Sequence, residues 1–494
     1  MANCLQVGRV TPCAPQFVFA RTAGRGLPAL PIHVPPCPSV VKMALPELIE
    51  IVPLDKPVRA EITVPGSKSI TNRSLILAAL ADGEVILEGA LWSEDTQVMV
   101  EALQKLGFQI KVKPDPNEMC NRTITVYGQG GKVSGGGTAE NPLELFVGNA
   151  GTAARFLTAL VCLGKGVYRL HGVPRMHERP QAALFNALRE LGYRVDSEND
   201  KLPATIFGGV GAERGSPEPQ HSRNAGAAAA GTAALRPRRS CTVSIEESSQ
   251  FASALLLCAK IGNWKIEVVG ENAEESPYVV MTTKMIEAFP KNGGVFEIDS
   301  DASSASYFWG ARFLLNGTTE PINYRITTPS WSQPELQIDT EFPGKLLLRD
   351  ISRLHDLGDS IMMAITLAPT NQEISRFSDL KRLRLQETER VVALRTELTK
   401  CGAKVVEEGD TLTVYPSKLH GAEIETYNDH RMAMCFAILG LKVPGIKIKN
   451  PACVKKTFPN FFQKLAAPPP NGLGATILDA KTGRRLEMKE LFAD

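Results

Sequence analysis

"EALQKLGFQI" spans residues 101–110, and two later stretches share its pattern: "NALRELGYRV" at 186–195 and "TELTKCGAKV" at 396–405. Before each glycine, apolar residues recur at helical spacing: Met99, Leu103 and Leu106; Leu184, Leu188 and Leu191; Val391, Leu394 and Leu398. That period predicts a helix with one buried face. Glycine takes positive φ without steric cost, so Gly107, Gly192 and Gly402 mark helix C-termini. A strand-like run follows each: "ITVYG" (124–128), "ATIFG" (204–208) and "LTVYP" (412–416). A helix–strand–strand unit thus occurs three times, too widely separated for a solenoid, and predicts α/β domains built from internal repeats.

The 494 residues allow two or three domains, and 43% apolar residues suffice for a large core. A net charge of +2 argues against a general nucleic-acid or membrane-surface protein, so any strongly basic site must be local. No apolar run approaches the length of about 18 residues needed to span a bilayer. The ten cysteines show neither Cys-x-x-Cys nor zinc spacing, and read as buried free thiols of a reducing compartment. The first 46 residues contain no Asp or Glu but carry Arg9, Arg21, Arg25 and Lys42, as an organelle transit segment does. A disordered tail, or translation from Met43, is the alternative. Residues 211–240 are rich in Ala, Gly and Pro and read as a surface insertion. The tail beyond "AAPPP" (466–470) is expected to add a strand or cover an edge.

Local basic chemistry gathers at helix starts. "VPGSKSITNR" (64–73) puts Ser67, Lys68 and Ser69 at the free N–H groups of a helix, with Arg73 about one turn on. Such an end favours an anion, although a capped helix with solvated Lys and Arg is the plainer reading. "GNAGTAARFLTAL" (148–160) repeats the logic with Asn149, Gly151, Thr152 and Arg155. "RMHERP" sets Arg179 before Pro180, a helix-start signal, and "ESSQ" sets Ser248, Ser249 and Gln250 at another. Further on, Asp359 opens an apolar helix, and Glu387 and Arg390 lie i, i+3 as if on one helix face. Asp429, His430 and Arg431 form a helix start, and Lys455 and Lys456 precede a proline. Singly each is an ordinary cap or salt bridge; together they suggest an anionic ligand held between several helix ends.

The stretches "PGSKSITNR", "GNAGTAARFLTAL", "PRMHERP", "SSQ", "SDASSASYF", "QETERVVALRTELTK", "TYNDHRMAMCF" and "KKTFPNFF" occur in one order. In that order they resemble the EPSP synthase family, over roughly residues 50–465 with interruptions at 211–240 and 317–350. The resemblance implies an α/β, two-domain enolpyruvyl transferase fold. Each domain would hold three βαβαββ repeats, and the chain would cross twice between them. The implied boundaries are 47–66 plus 300–466 for domain I and 67–299 for domain II, with 1–46 a transit segment and 467–494 a tail. The implied reaction moves the enolpyruvyl group of phosphoenolpyruvate to the 5-hydroxyl of shikimate 3-phosphate and releases phosphate. No cofactor or metal is expected, and a monomer is.

Roles follow by motif. The resemblance makes Ser69 and Arg73 ligands of shikimate 3-phosphate, Ser248 and Ser249 its phosphate-binding serines and Gln250 a contact near the shikimate ring, puts Gln386 in the substrate-binding set, and gives Gly151, Arg179, Arg390, Arg431 and Lys456 to phosphoenolpyruvate. Asn149, Thr152 and Arg155 join the binding set, and Lys68 touches both substrates. Asp359 would take the hydroxyl proton, and Glu387 would protonate the methylene carbon. One of these two carboxyls is expected to be raised by burial or by the other's charge.

The chain departs from the family pattern in places. Gln386 replaces a lysine, for which Lys381 or Arg382 are candidate substitutes, and Arg382 itself stands where an asparagine is usual. Glu275 stands where a phosphate-binding serine is usual, a Gln-Gly-Asp expected near 333 is missing, and Phe156 replaces a proline. The alternatives are a non-catalytic shikimate-phosphate-binding homologue and a UDP-N-acetylglucosamine enolpyruvyl transferase. The latter typically uses a loop cysteine, and "PRMHERP" holds none. The pathway places the enzyme in the plastid of a plant or alga, or otherwise in the cytoplasm.

Overall fold

The structure, a computed structural model, describes residues 45–209, 239–271, 273, 276–316, 325–327 and 336–494. The expected transit segment to residue 44, the insertion over 210–238, Glu275 and position 333 lie outside the described residues.

The three repeated stretches form the same piece of structure. The helices Glu94–Lys105, Ala182–Glu190 and Arg390–Lys400 each end just before the glycine, whose φ is +90° at Gly107, +86° at Gly192 and +88° at Gly402. The turn that follows feeds an antiparallel pair: Gln109–Pro114 with Asn121–Gln129, Arg194–Asp196 with Ala204–Phe207, and Lys404–Glu408 with Thr411–Tyr415. The inner strand of each pair lies antiparallel to a further strand, which has a parallel neighbour on its other side, so three four-stranded sheets share one topology. All nine apolar residues of the three pre-glycine stripes are at most 1% exposed, as a helix packed on a sheet requires.

A fourth sheet has the same pattern but takes strands from both ends of the chain. Leu48–Ile51 pairs antiparallel with Ile446–Lys449 and with Ile477–Asp479, and Glu423–Ile424 lies parallel to Ile446–Lys449 on its other side. The tail therefore closes an edge, and Leu473, Ala475, Leu486 and Leu491 bury themselves there. Two parallel pairs complete the set among the described residues: Arg239–Ser244 with Trp264–Val269, and Arg59–Glu61 with Arg325–Thr327.

These sheets and their helices enclose two hydrophobic cores. One is built almost wholly from residues 70–298, the other from 45–64 and 305–493. The chain passes between the two lobes twice, and the passages run side by side. Ser67 N donates to Asp299 O and Asp301 N donates to Pro65 O, both at 2.8 Å, around a bridge of Gly66 to Ser300. Gly66 has to be glycine, because a Cβ there would lie 2.0 Å from the carbonyl oxygen of Gly89. The seven cysteines among the described residues are buried and unpaired.

Candidate active site

The paired passages act as a floor from which helix ends of both lobes converge. The Lys68–Leu80 helix begins at Ser67, the Gly151–Val161 helix at Ala150, and the Gln250–Gly262 helix at Ser249. From the other lobe come the Ile361–Leu367 helix, two residues after Asp359, and the His430–Gly440 helix, which Asp429 caps by accepting from Arg431 N. Arg179 is an extended residue that closes the Pro174–Glu178 helix, and the helix start signalled by Pro180 follows at once, with Gln181 capping the Ala182–Glu190 helix. One expectation is corrected here. Glu387 is not helical: it lies in the loop before the Arg390–Lys400 helix, and still reaches Arg390 at 2.9 Å.

A cleft lies between the lobes. Lys68, Ser69, Arg73, Thr152, Arg155, Arg179, Ser248, Ser249, Gln250, Asp359, Gln386, Glu387 and Arg431 line it. Asn149, Gly151, Arg390 and Lys456 stand one layer behind. Lys456 Nζ is 3.3 Å from Glu387 Oε1, and with Arg179 it donates to the carbonyl of Asn149. A Cβ on Gly151 would come within 2.7 Å of Arg179 Nη2 and 3.0 Å of Arg155 Nη1, so glycine there keeps two guanidiniums close to the helix end. The two lobes thus bring the expected residues into one place.

Protein partners do not satisfy all of these cations. The Nε groups of Arg155, Arg179, Arg353 and Arg431 are buried without a hydrogen-bond partner. A buried donor left unpaired costs about 1–3 kcal/mol, so the cleft is stabilised by anything that brings acceptors and negative charge. Burial lowers Arg155 well below the usual arginine range, with Arg179 adding to the effect, and lowers Arg73 to about 10. Arg73 spends most of its donors inward, on Thr282, Ser253 and the Ser69 carbonyl, and its Cζ lies 5.3 Å from the Phe156 ring centroid. Phe156 therefore leaves its helix unbroken and props up an arginine instead.

The two central carboxyls correct another expectation. Burial pushes Asp359 up, but Arg431, Arg390 and Arg353 together hold it below the usual carboxylate range. Glu387 is also pushed up by burial and is pulled well below its ordinary value by Arg390, Lys456, Arg179 and Lys68. Neither carboxyl is raised by the protein alone, because the cations outweigh both burial and mutual repulsion. His430, fully buried between the same charges, is held well below its usual range by burial and by Arg431, and so is neutral.

Several groups escaped the sequence reading. Asp95, 2% exposed, sits 3.1 Å from Lys68 Nζ and 3.9 Å from Lys456 Nζ. It follows Ser93, whose N–H bonds Thr96 Oγ1, and that capping pattern concealed its second task. Arg353, Asp301 and Ser303 line the cleft, and Tyr278 packs over Arg73. The missing Gln-Gly-Asp has a counterpart in Gln337-Ile338-Asp339. Gln337 accepts from Ala302 N, and Asp339 accepts from Ser303, Gly358 and Ser360. Of the two substitutes for a lysine at 386, Lys381 is exposed outside the cleft while Arg382 lines it. Among the described residues no group of three His, Cys, Asp or Glu is placed to hold a metal ion, and no helix is long and apolar enough to cross a membrane.

The chain matches the family model "EPSP synthase (3-phosphoshikimate 1-carboxyvinyltransferase)" over residues 53–215 and 220–465. It is 35% identical to the 3-phosphoshikimate 1-carboxyvinyltransferase of Trichormus variabilis, over 85% of this chain and 98% of that one. It is 36% identical to that of Opitutus terrae, over 86% and 98%. In three dimensions it resembles an EPSP synthase from Acinetobacter baumannii, with a TM-score of 0.58 at 19% identity, over 87% of this chain and 99% of that one. It is equally similar to the enolpyruvyl transferase NikO from Streptomyces tendae, with a TM-score of 0.58 at 16% identity, over 90% and 99%. The fold is that of the two-domain enolpyruvyl transferases, and the chain belongs to the EPSP synthase family, the 3-phosphoshikimate 1-carboxyvinyltransferases.

Proposed function

We propose that this cleft carries out the family's reaction, with its residues divided between the two substrates as follows. Ser69, Arg73, Ser248, Ser249 and Gln250 hold shikimate 3-phosphate against one wall of the cleft. Arg179, Arg390, Arg431 and Lys456 hold phosphoenolpyruvate, and Lys68 reaches both. The two substrates carry two phosphates and two carboxylates, roughly −5 to −6 in all at about −1.5 to −2 per phosphate. The observation that carries the reading is the set of buried guanidiniums around the Asp359–Glu387 pair whose Nε groups have no hydrogen-bond partner, a pattern that two such anions complete.

Asp359 accepts the proton of the 5-hydroxyl while its oxygen bonds to C2 of phosphoenolpyruvate, and Glu387 delivers a proton to the methylene carbon. The positive character that develops at C2 is offset by the neighbouring carboxylates and phosphate. Collapse of the tetrahedral intermediate breaks the C2–O bond to phosphate and returns a methyl proton to Glu387. The cation cage stabilises the departing phosphate. Glu387 must first be protonated. The substrates supply the means, since their negative charge opposes the four cations that hold the carboxyl low.

Phosphate release from phosphoenolpyruvate tests the reading. Release should require shikimate 3-phosphate, and UDP-N-acetylglucosamine should not replace it. A protein that binds shikimate 3-phosphate but never releases phosphate would be the non-catalytic homologue instead. The acid-free N-terminus accords with delivery to a plastid, and the chain is proposed to act as a monomer. Sequencing the mature N-terminus and sedimentation respectively check these two points.

A further inference from the structure

Gln386 is uncharged and fully engaged: its Nε2 lies 3.3 Å from Asp359 Oδ1 and its Oε1 accepts from Arg390 Nη1. The same Asp359 oxygen is reached by Arg353, whose Nη2 lies 2.9 Å away. Arg353 follows the Asp350–Ser352 strand, in a stretch matched to none of the expected site residues. It is 8% exposed, its Nε has no hydrogen-bond partner, and it faces the cleft. Arg382 also lines the cleft, and its Nε donates to the carbonyl of Glu246 at 3.3 Å. Burial, and secondarily the charge of Arg353, lower Arg382 below the usual arginine range. Ser248, Ser249 and Tyr278 line the same cavity from the opposite lobe.

Two guanidiniums on one cleft, Arg353 with a buried and unsatisfied Nε, together with a pair of serines from the opposite lobe make a site that a multiply charged anion stabilises. We propose that Arg353, together with Arg382, binds the phosphate monoester of the ring substrate and supplies the positive charge that Gln386 lacks. This assignment rests on the substrate reading above and adds to it a specificity-determining residue. A planar fork that bonds both Asp359 and a phosphate oxygen also explains why an uncharged side chain is tolerated at 386.

The test compares the affinities of shikimate 3-phosphate and unphosphorylated shikimate by calorimetry. Arg353→Met should cut the preference for the phosphorylated ligand at least about tenfold, the loss expected for one charged hydrogen bond. Arg353→Met combined with Gln386→Lys should recover most of it, and Arg382→Met should reduce the preference in the same sense. If Arg353 only positions Asp359, turnover falls while the preference is unchanged, and the proposal is overturned. Should Arg353→Met fail to fold, Gln386→Lys in the wild-type background still decides. The proposal expects shikimate 3-phosphate to tighten less than about threefold, whereas a tightening of about tenfold or more shows that the cation was missing. A wild-type protein that neither binds shikimate 3-phosphate nor releases phosphate overturns the substrate reading and this one with it; normal wild-type binding with an unchanged preference overturns only the role of Arg353.

Discussion

At the scale of single residues, charge balance decides what the carboxyls can do. Glu387 is ionised while only protein cations surround it, so a role as acid depends on substrates raising it. The sign follows: a general acid works in its protonated form, so kcat should fall as pH rises through the value Glu387 acquires in the ternary complex. The profile of kcat/KM reports the free enzyme and should show no such limb from Glu387 above the ordinary carboxylate range. Glu387→Gln should lower kcat about 10²- to 10⁴-fold with little change in the KM of shikimate 3-phosphate. An unchanged kcat profile in that variant would remove Glu387 from the chemistry. Lys68, Arg179, Glu387 and Arg431 were legible from the sequence because each sits in a short motif that carries the family resemblance, although each has a partner far along the chain. Arg353 was not: its partners Asp359 and Arg382 are neighbours only because the strand and the following turns fold back on themselves. Asp95 was hidden for the opposite reason, since an ordinary helix start already accounted for it.

At the scale of elements, the repeats were legible because helix period, terminal glycine and strand alternation are local signals. Gly192 isolates the glycine's contribution. Its φ is +86°, and an added Cβ would meet nothing nearer than Arg239 Nη1 at 4.0 Å. Gly192→Ala should therefore cost about 1–2 kcal/mol of stability from backbone conformation alone, with kcat unchanged, and Gly192→Asn should cost less. Denaturant unfolding checks both; equal stability of all three proteins would contradict the left-handed helix end. Glu387 shows where local signals mislead: its i, i+3 spacing to Arg390 looked helical, but the pair forms across a loop. The proline after Arg179 did signal a helix, which starts at Ala182.

At the scale of the whole molecule, the near-neutral chain concentrates cations, four of them arginines with unsatisfied Nε groups, in one interlobe cleft. Screening should then weaken both substrates: raising ionic strength should increase both KM values, and a salt-insensitive KM would argue against the cage. Side chains also tie the lobes together beyond the paired passages. Among the described residues, Arg175 donates to the Gln386 carbonyl, Lys456 to that of Asn149 and Arg382 to that of Glu246, and Glu118 accepts from Lys464 and Asn460. Shikimate 3-phosphate, touching both walls, should draw the lobes together and protect the chain from limited proteolysis. These long-range contacts join residues up to 346 positions apart, beyond the reach of any spacing rule. The most direct test is a crystal structure of the Glu387→Gln variant soaked with both substrates. The account predicts both phosphates in the single cleft, bonded to Lys68, Arg179, Arg431 and Lys456 and to Ser248, Ser249, Arg353 and Arg382. Two anions bound at separate places, or only one bound in the cleft, would contradict it.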